Sequence, residues 1–151
     1  MEVKRSFRGE IFLYFIIVFI LFTVAVLTFQ YQREKIYKIT QLETTLDDIT
    51  EITHLYIKNK NLEQDNNFNS LKELSKIIPQ PNTRLTVIDL KGNVLFDSFV
   101  ENYKAMENHL YRPEVQTALA EGFGSNIRLS STTKQEFYYY AKKRGNLFIR
   151  A

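Results

Sequence analysis

Two histidines, no cysteine and a run of polar residues between two apolar segments bound the chemistry open to this 151-residue chain. His54 and His109 are the only imidazoles and no thiolate exists, so the ligands of a protein-built zinc site are missing. No Ser or Thr stands in a nucleophile-elbow sequence. Gly122-Phe123-Gly124 follows a helical segment instead of opening one, so it cannot aim a helix N-terminus at phosphate; it reads as a helix cap and turn. The densest collection of polar groups is Asp97, Ser98, Asn108, His109 and Arg112. Arg112 can clamp a carboxylate or phosphate through two parallel N–H bonds, and Asp97 can orient an amine. Asp97, Asn108, His109 and Arg112 are therefore the candidate ligand-binding residues. The same groups also have a structural use. Asp97 and Asn108 can cap turns, His109 can pack half-buried, and Arg112 can pair with Glu107 or Glu114. No residue qualifies as catalytic and none as a metal ligand.

Two further clusters carry polar chemistry. Tyr138, Tyr139 and Tyr140 on a strand put the first and third on one face and the second on the other, which suits core plus sheet surface better than an aromatic cage. Lys142-Lys143-Arg144 lies at a hairpin and is expected to face solvent, or lipid headgroups if the sheet edge meets a membrane.

The elements that position these residues begin with an apolar run. Ile11 to Phe29 holds no charge, and fifteen of its nineteen residues are Leu, Ile, Val or Phe. At 1.5 Å per residue it makes about 28 Å of helix, close to a hydrocarbon core of about 30 Å. A cleaved signal peptide has a shorter apolar region and a small-x-small site, which Thr23 to Gln32 does not offer. The run reads as an uncleaved signal anchor. Lys4, Arg5 and Arg8 before it are matched by Arg33, Lys35 and Lys38 after it, so only the short tail and its terminal amine tip the orientation toward a cytoplasmic N-terminus. The expected location is the plasma (inner) membrane, crossed once within this stretch, with residues 30–151 extracytoplasmic.

Beyond the membrane, Ile36, Ile39, Leu42, Leu46, Ile49, Ile52 and Tyr56 recur at spacings of three and four. They predict one amphipathic helix to about Lys60, continuous with the membrane segment and packed on the domain's own sheet, with an identical partner helix as the other use of the stripe. Asn61 to Asn69 reads as a loop. Ser70 and Glu73 have capping-box spacing before a short helix that ends ahead of Pro79 and Pro81. Leu85, Val87 and Asp89 alternate with Thr86 and Ile88, and Lys91-Gly92-Asn93 turns the chain into Val94 to Phe96, a β-hairpin. Pro113 suits the first position of a helix that runs through Leu119 and stops at Gly122. Strands are predicted at Ser125 to Leu129, Phe137 to Lys142 and from Leu147, the last two joined by Arg144-Gly145-Asn146. The fold class is α+β, one antiparallel sheet with a long N-terminal helix continuous with a transmembrane helix. Its parts are a tail (1–10), a membrane helix (11–29), an amphipathic signalling helix (30–61) and a sensor-sized domain (62–151) expected to be cut off within its last strand. The composition is ordinary for a globular protein at 44% hydrophobic and 25% charged, and no single-sign block offers a footprint for nucleic acid.

Arg84 to Ser98 (RLTVIDLKGNVLFDS), Met106 to Val115 (MENHLYRPEV) and the IRLSS strand resemble the extracytoplasmic sensor of bacterial sensor histidine kinases of the phosphate-regulon type. The resemblance is specific over about residues 84–150. It implies a PAS-like (Cache-like) sheet after a first membrane helix, a homodimer, and a second membrane helix followed by a kinase core beyond this stretch. That core would use ATP and magnesium to phosphorylate itself on histidine and pass the phosphoryl group to a response regulator. No cofactor is implied for the present residues. His109 has Pro113 four residues on, but it lacks the acid that follows the phosphoacceptor in the family's H-E-x-x-x-P setting, and His54 lacks the proline. A chemoreceptor or nucleotide-cyclase sensor would share the fold. A pilin-like subunit shares the helix and is cut after a Gly, but its Glu at the fifth mature position is not met here: Glu10 directly follows Gly9 and the fifth position is Tyr14.

Overall fold

A computed structural model describes residues 7–65, 67–78, 83–129 and 136–151. The expectations placed on Lys4 and Arg5, on the helix stop at Pro79 and Pro81, and on Ser130 and Ser131 of the IRLSS strand lie outside the described residues. The chain divides into two compact units, Met1–Leu42 and Glu43–Ala151.

One helix, α1 (Phe7–Asn59), carries the apolar run. It is long and apolar enough to cross a membrane, with a mean hydropathy of 2.9 over its most apolar window and none of that window buried. Within that run Thr23 and Thr28 donate their hydroxyls to the carbonyls of Phe19 and Val24 at 2.9 and 2.8 Å. Their hydroxyls are thus satisfied inside the helix, as a span through a hydrocarbon core would require.

The second unit is α+β, with a five-stranded antiparallel sheet, so the fold class expected from the sequence is the one observed. After α1 come α2 (Leu62–Asp65) and α3 (Leu71–Ile77), then β1 (Thr86–Asp89), β2 (Val94–Asp97), α4 (Pro113–Glu121), β3 (Phe123–Leu129), β4 (Glu136–Arg144) and β5 (Leu147–Arg150). The spatial order is β2-β1-β5-β4-β3. β1 to β5 pairing brings the last strand into the centre, so the hairpins β1–β2 and β3–β4 flank it.

Local chemistry explains most boundaries. Asp89 accepts hydrogen bonds from the backbone N–H groups of Lys91 and Asn93, both at 2.8 Å, and so folds the β1–β2 turn that Gly92 completes at φ 86°. Pro113 opens α4 and Gly122 closes it in the left-handed region at φ 91°.

Four details depart from the sequence reading. The Asn-rich loop contains the one-turn helix α2, because Leu62 and Phe68 are buried there and draw the chain inward. The Ser70 capping box does not form. Backbone bonds from Leu71, Lys72 and Glu73 to Phe68, Asn69 and Ser70 already occupy the donors, and the Ser70 hydroxyl is buried without a partner among the described residues. The buried stripe of α1 is Leu46, Ile49, Thr50, Thr53 and Ile57, while Ile52 stays exposed. Thr50 and Thr53 tolerate burial because they bond the carbonyls of Asp47 and Ile49 at 2.8 and 2.7 Å. Finally, Gly124 lies in β3 and not in a turn; a Cβ there would sit 2.5 Å from the carbonyl oxygen of Glu114, so its absence lets β3 press against α4.

Candidate functional site

Strand register assigns the polar side chains to two faces. Thr86 of β1 stands opposite Asp97 of β2 and Arg150 of β5, so those three share a face. Arg150 stands opposite Ala141, which puts Tyr139 on that face too; Tyr139 faces Asn126, which adds Arg128 two residues on. α4 packs over this side, where Val115 and Ala118 join Ile88, Ala141 and Phe148 in a fully buried apolar cluster. Next to that cluster, Glu114 from the first turn of α4 enters the sheet and receives two arginines. Arg128 reaches its Oε1 at 3.1 Å and Arg150 reaches the same oxygen at 3.3 Å. Both guanidinium groups also lie over the Tyr139 ring, 4.2 and 5.4 Å from its centroid. Tyr139 is thus a platform for cations, where sheet surface was expected.

Arg150 continues the network to Thr86 at 3.3 Å, and Thr86 donates to Asp97 at 3.0 Å. Asp97 is buried and takes two bonds from Arg84 Nε, at 2.8 and 3.1 Å, besides the backbone N–H groups of Phe99 and Val100 at 3.0 Å. Its acceptor positions are filled from within the protein. Asn108 works as a fastener. Its amide donates to the carbonyl of Lys91 at 2.7 Å while its oxygen accepts from Leu110 N–H at 2.8 Å, which straps the segment before α4 onto the β-hairpin turn. A Cβ on Gly92 would collide with that Asn108 oxygen and with Leu110 N, so Gly92 serves the strap as well as the turn.

His109, whose N–H donates to the Gly92 carbonyl at 2.8 Å, is delivered by this strap into the interior, where it is 3% exposed. Burial first, then the charges of Arg150, Arg112 and Arg84, push its pKa down to about 4; Asp97 opposes them. Its Nδ1 has no hydrogen-bond partner among the described residues, and neither have Glu114 Oε2 and Arg128 Nε. Arg112 is half-exposed and approaches Glu107 at 3.7 Å. Of the four candidates, the structure gathers Asp97 and His109 at the arginine network, uses Asn108 to hold the strap, and leaves Arg112 at its rim.

The sequence reading missed Glu114, Arg84, Arg128, Arg150 and Tyr139. One signal was available: Arg150 closes the run Leu147-Phe148-Ile149, and a charge at the end of a wholly apolar strand needs a buried partner.

On the opposite face, Tyr138, Tyr140, Lys142 and Arg144 of β4 meet acids of α1. Glu43 takes the Tyr138 hydroxyl, Asp47 takes the Tyr140 hydroxyl at 2.7 Å and Lys142 at 2.5 Å, and Glu51 takes Arg144. Lys142 and Arg144 therefore do not project freely into solvent, as their position at a hairpin suggested; the acids of α1 hold them against the sheet, where they stay partly exposed. Four helical residues rise about 6 Å and two strand residues about 6.7 Å, so acids at every fourth position match partners at every second one. Burial alone would raise the pKa of Asp47, but the bonds from Lys142 and Tyr140 hold it below the usual carboxylate range. The Arg144 bond does the same for Glu51.

Among the described residues no group of three His, Asp or Glu converges as a metal site. No protein-family model matches the chain, and a search of curated proteins finds no match.

Proposed function

We propose that this chain is the membrane-anchored sensor portion of a two-component histidine kinase, its N-terminus cytoplasmic, residues 30–151 outside the inner membrane, and the chain paired with a second copy. The observation that carries the reading is the position of Lys142, whose Nζ lies 2.5 Å from Asp47 and 3.8 Å from Glu51. Lys142 already stands between two rungs of the ladder, so α1 can change partners along β4 without losing them all. A packed helix moves as a unit, and displacements of about 1–2 Å are ordinary in switching proteins. The helix that bears these acids also bears the apolar run, so a displacement at the sheet has a covalent route to the membrane.

The test is to sequence the coding DNA past codon 151. A second apolar stretch within about twenty residues, then a linker and an H-E-x-x-x-P helix, is the expected result. A chemoreceptor or cyclase output in that position would keep the sensor and discard the kinase; a stop codon would discard both. The pairing is tested by disulfide cross-linking of Ile52→Cys and Leu55→Cys, at the exposed apolar positions of α1. Efficiency at background for both would remove the dimeric helix.

A further inference from the structure

The outer edge of β2 borders a cavity that neither charged face of the sheet uses. β2 is the outermost strand, and Val87 pairs with Phe96 while Ile88 pairs with Val94, so Leu95 is an extra residue that bulges from the ladder. A bulge at a sheet edge re-aims side chains and breaks the ladder at that point. Here Leu95 lines a cavity of about 520 Å³, walled on its other sides by the segment 67–69 and by the single turn Tyr103–Ala105 with Met106. That volume is the size of small-molecule sites. Among the described residues lining it, Lys104 is the one ionic side chain, and it is exposed; four carboxamides supply most of the polarity. Two of the four are spent on structure, since Asn93 donates to Asp89 and Asn108 to the Lys91 carbonyl. The other two are open. Asn67 Oδ1 accepts from the Asn69 N–H at 3.1 Å, which leaves the Asn67 amide donors free, and the Asn69 carboxamide has no partner among the described residues.

We infer that this cavity binds an uncharged sugar ring, with Asn67 and Asn69 holding its hydroxyls and Tyr103 lying against its C–H face. A hydroxyl both donates and accepts, and a carboxamide sets one acceptor beside one donor, so it matches two neighbouring hydroxyls; a carboxylate or an ammonium would use only half of it. The weakly positive C–H groups of a pyranose suit the negative face of an aromatic ring. No acid lines the cavity to hold a cation, and an exposed lysine is a point charge without the fork that fixes a carboxylate. Occupancy also has a route inward. Met106 Sδ lies 3.8 Å from Nη2 of Arg84, the arginine that holds Asp97, and Asn108 precedes the buried His109 on the strap. The site deepens the sensor reading, and rests on it only for what the ligand signals; the binding itself does not depend on which output domain follows.

Met106 is the one methionine besides Met1, so methyl labelling puts one reporter in the cavity and a control in the N-terminal tail. The full chain in lipid nanodiscs is titrated in turn with glucose, galactose, mannose and N-acetylglucosamine, with glucuronate as the charged ring and glycerol as the polyol without one. The expected result is a saturable shift of the Met106 methyl with at least one neutral sugar, none with glycerol, and no change at Met1. Asn69→Ala weakens that sugar by about fivefold or more, the size of one or two lost neutral hydrogen bonds. It leaves the thermal transition in place, because the Asn69 side chain is exposed and bonds nothing among the described residues. Tyr103→Leu, which keeps apolar cover on Phe96 without the ring, also loses affinity, whereas Lys104→Gln stays within about twofold. Absence of a saturable shift with every neutral sugar, or unchanged affinity in Asn69→Ala or Tyr103→Leu, overturns the site. Tighter binding of glucuronate than of the neutral sugars, or a loss in Lys104→Gln as large as in Asn69→Ala, overturns the uncharged class. None of these results touches the kinase assignment, which the downstream sequence decides.

Discussion

The two faces of the sheet hold charges in opposite ways. On the α1 side, acids spaced four apart meet partners spaced two apart, the ion-paired side chains remain partly exposed, and one rung resembles the next. On the α4 side, Glu114, Arg150 and Thr86 are fully or almost fully buried, and their bonds do not repeat along the strand. A repeating, solvated array tolerates a change of register because each acid finds a similar donor one step on. A unique buried network does not, since any displacement strands a charge in low dielectric. The proposed sensor reading accordingly assigns movement to the α1 face and fixity to the α4 face.

Removing Glu114 is the strongest way to break that contrast. Glu114→Ala leaves the buried Arg150 and the partly exposed Arg128 without their shared partner and is expected to cost about 3 kcal/mol in urea unfolding. The double variant Glu114→Leu with Arg150→Met, which removes charge on both sides, should recover a large part of the loss. If the single variant costs under about 1 kcal/mol, the α4 face is no more fixed than the ladder.

The next effect is a dependence on pH that belongs to His109. Its folded pKa, about 4, lies below the ordinary 6.5, so the unfolded chain binds the proton more readily between those values. Stability should therefore be fully present above about pH 6.5 and fall as the pH drops toward 4, by up to about 3 kcal/mol at 1.36 kcal/mol per unit. His109→Gln should flatten that slope, read by thermal unfolding at a series of pH values. A slope identical in the variant would assign it to the carboxylates instead.

The ladder should respond less. Asp47→Asn is expected to cost about 1 kcal/mol, as partly exposed ion pairs do, and to lose more of its effect in high salt than Glu114→Ala does. The lowered pKa values of Asp47 and Glu51 fix the sign of the pH effect: their contribution is complete above about pH 5 and disappears as the pH falls below the ordinary carboxylate range. The two faces thus separate along one titration, His109 losing its share first and the ladder afterwards. Simultaneous loss in the wild-type chain would contradict the division.

What could be read ahead of the structure was whatever is decided locally. Asp89 and Gly92 fold their own turn, Pro113 and Gly122 bracket their own helix, and an uncharged run of nineteen residues makes a helix long and apolar enough to span a membrane. The network was not legible because Glu114 and Arg150 are brought together only when β5 enters between β1 and β4, a pairing that no spacing encodes. The ladder was half visible. Glu43, Asp47 and Glu51 stand at helical spacing in plain view, but their partners lie in β4 far along the chain. The apolar stripe misled for a physical reason: Thr50 and Thr53 bury at little cost by bonding to their own helix, which releases Ile52 to the surface.

Arg112 should show the smallest effect and sharpens the boundary of the buried network. Its guanidinium lies 3.7 Å from a Glu107 whose side chain is 90% exposed, a pair in full reach of water and salt. Such pairs contribute about 0–1 kcal/mol, so Arg112→Ala should leave the thermal transition within about two degrees of the parent. It should nevertheless raise the His109 pKa, because Arg112 is one of the three arginine charges that hold it down. A variant that is silent in stability yet moves the titration of a buried imidazole would mark Arg112 as part of the field around the buried network and not of its framework. Loss of folding would place Arg112 in the framework, alongside Asn108 and its strap on the hairpin turn.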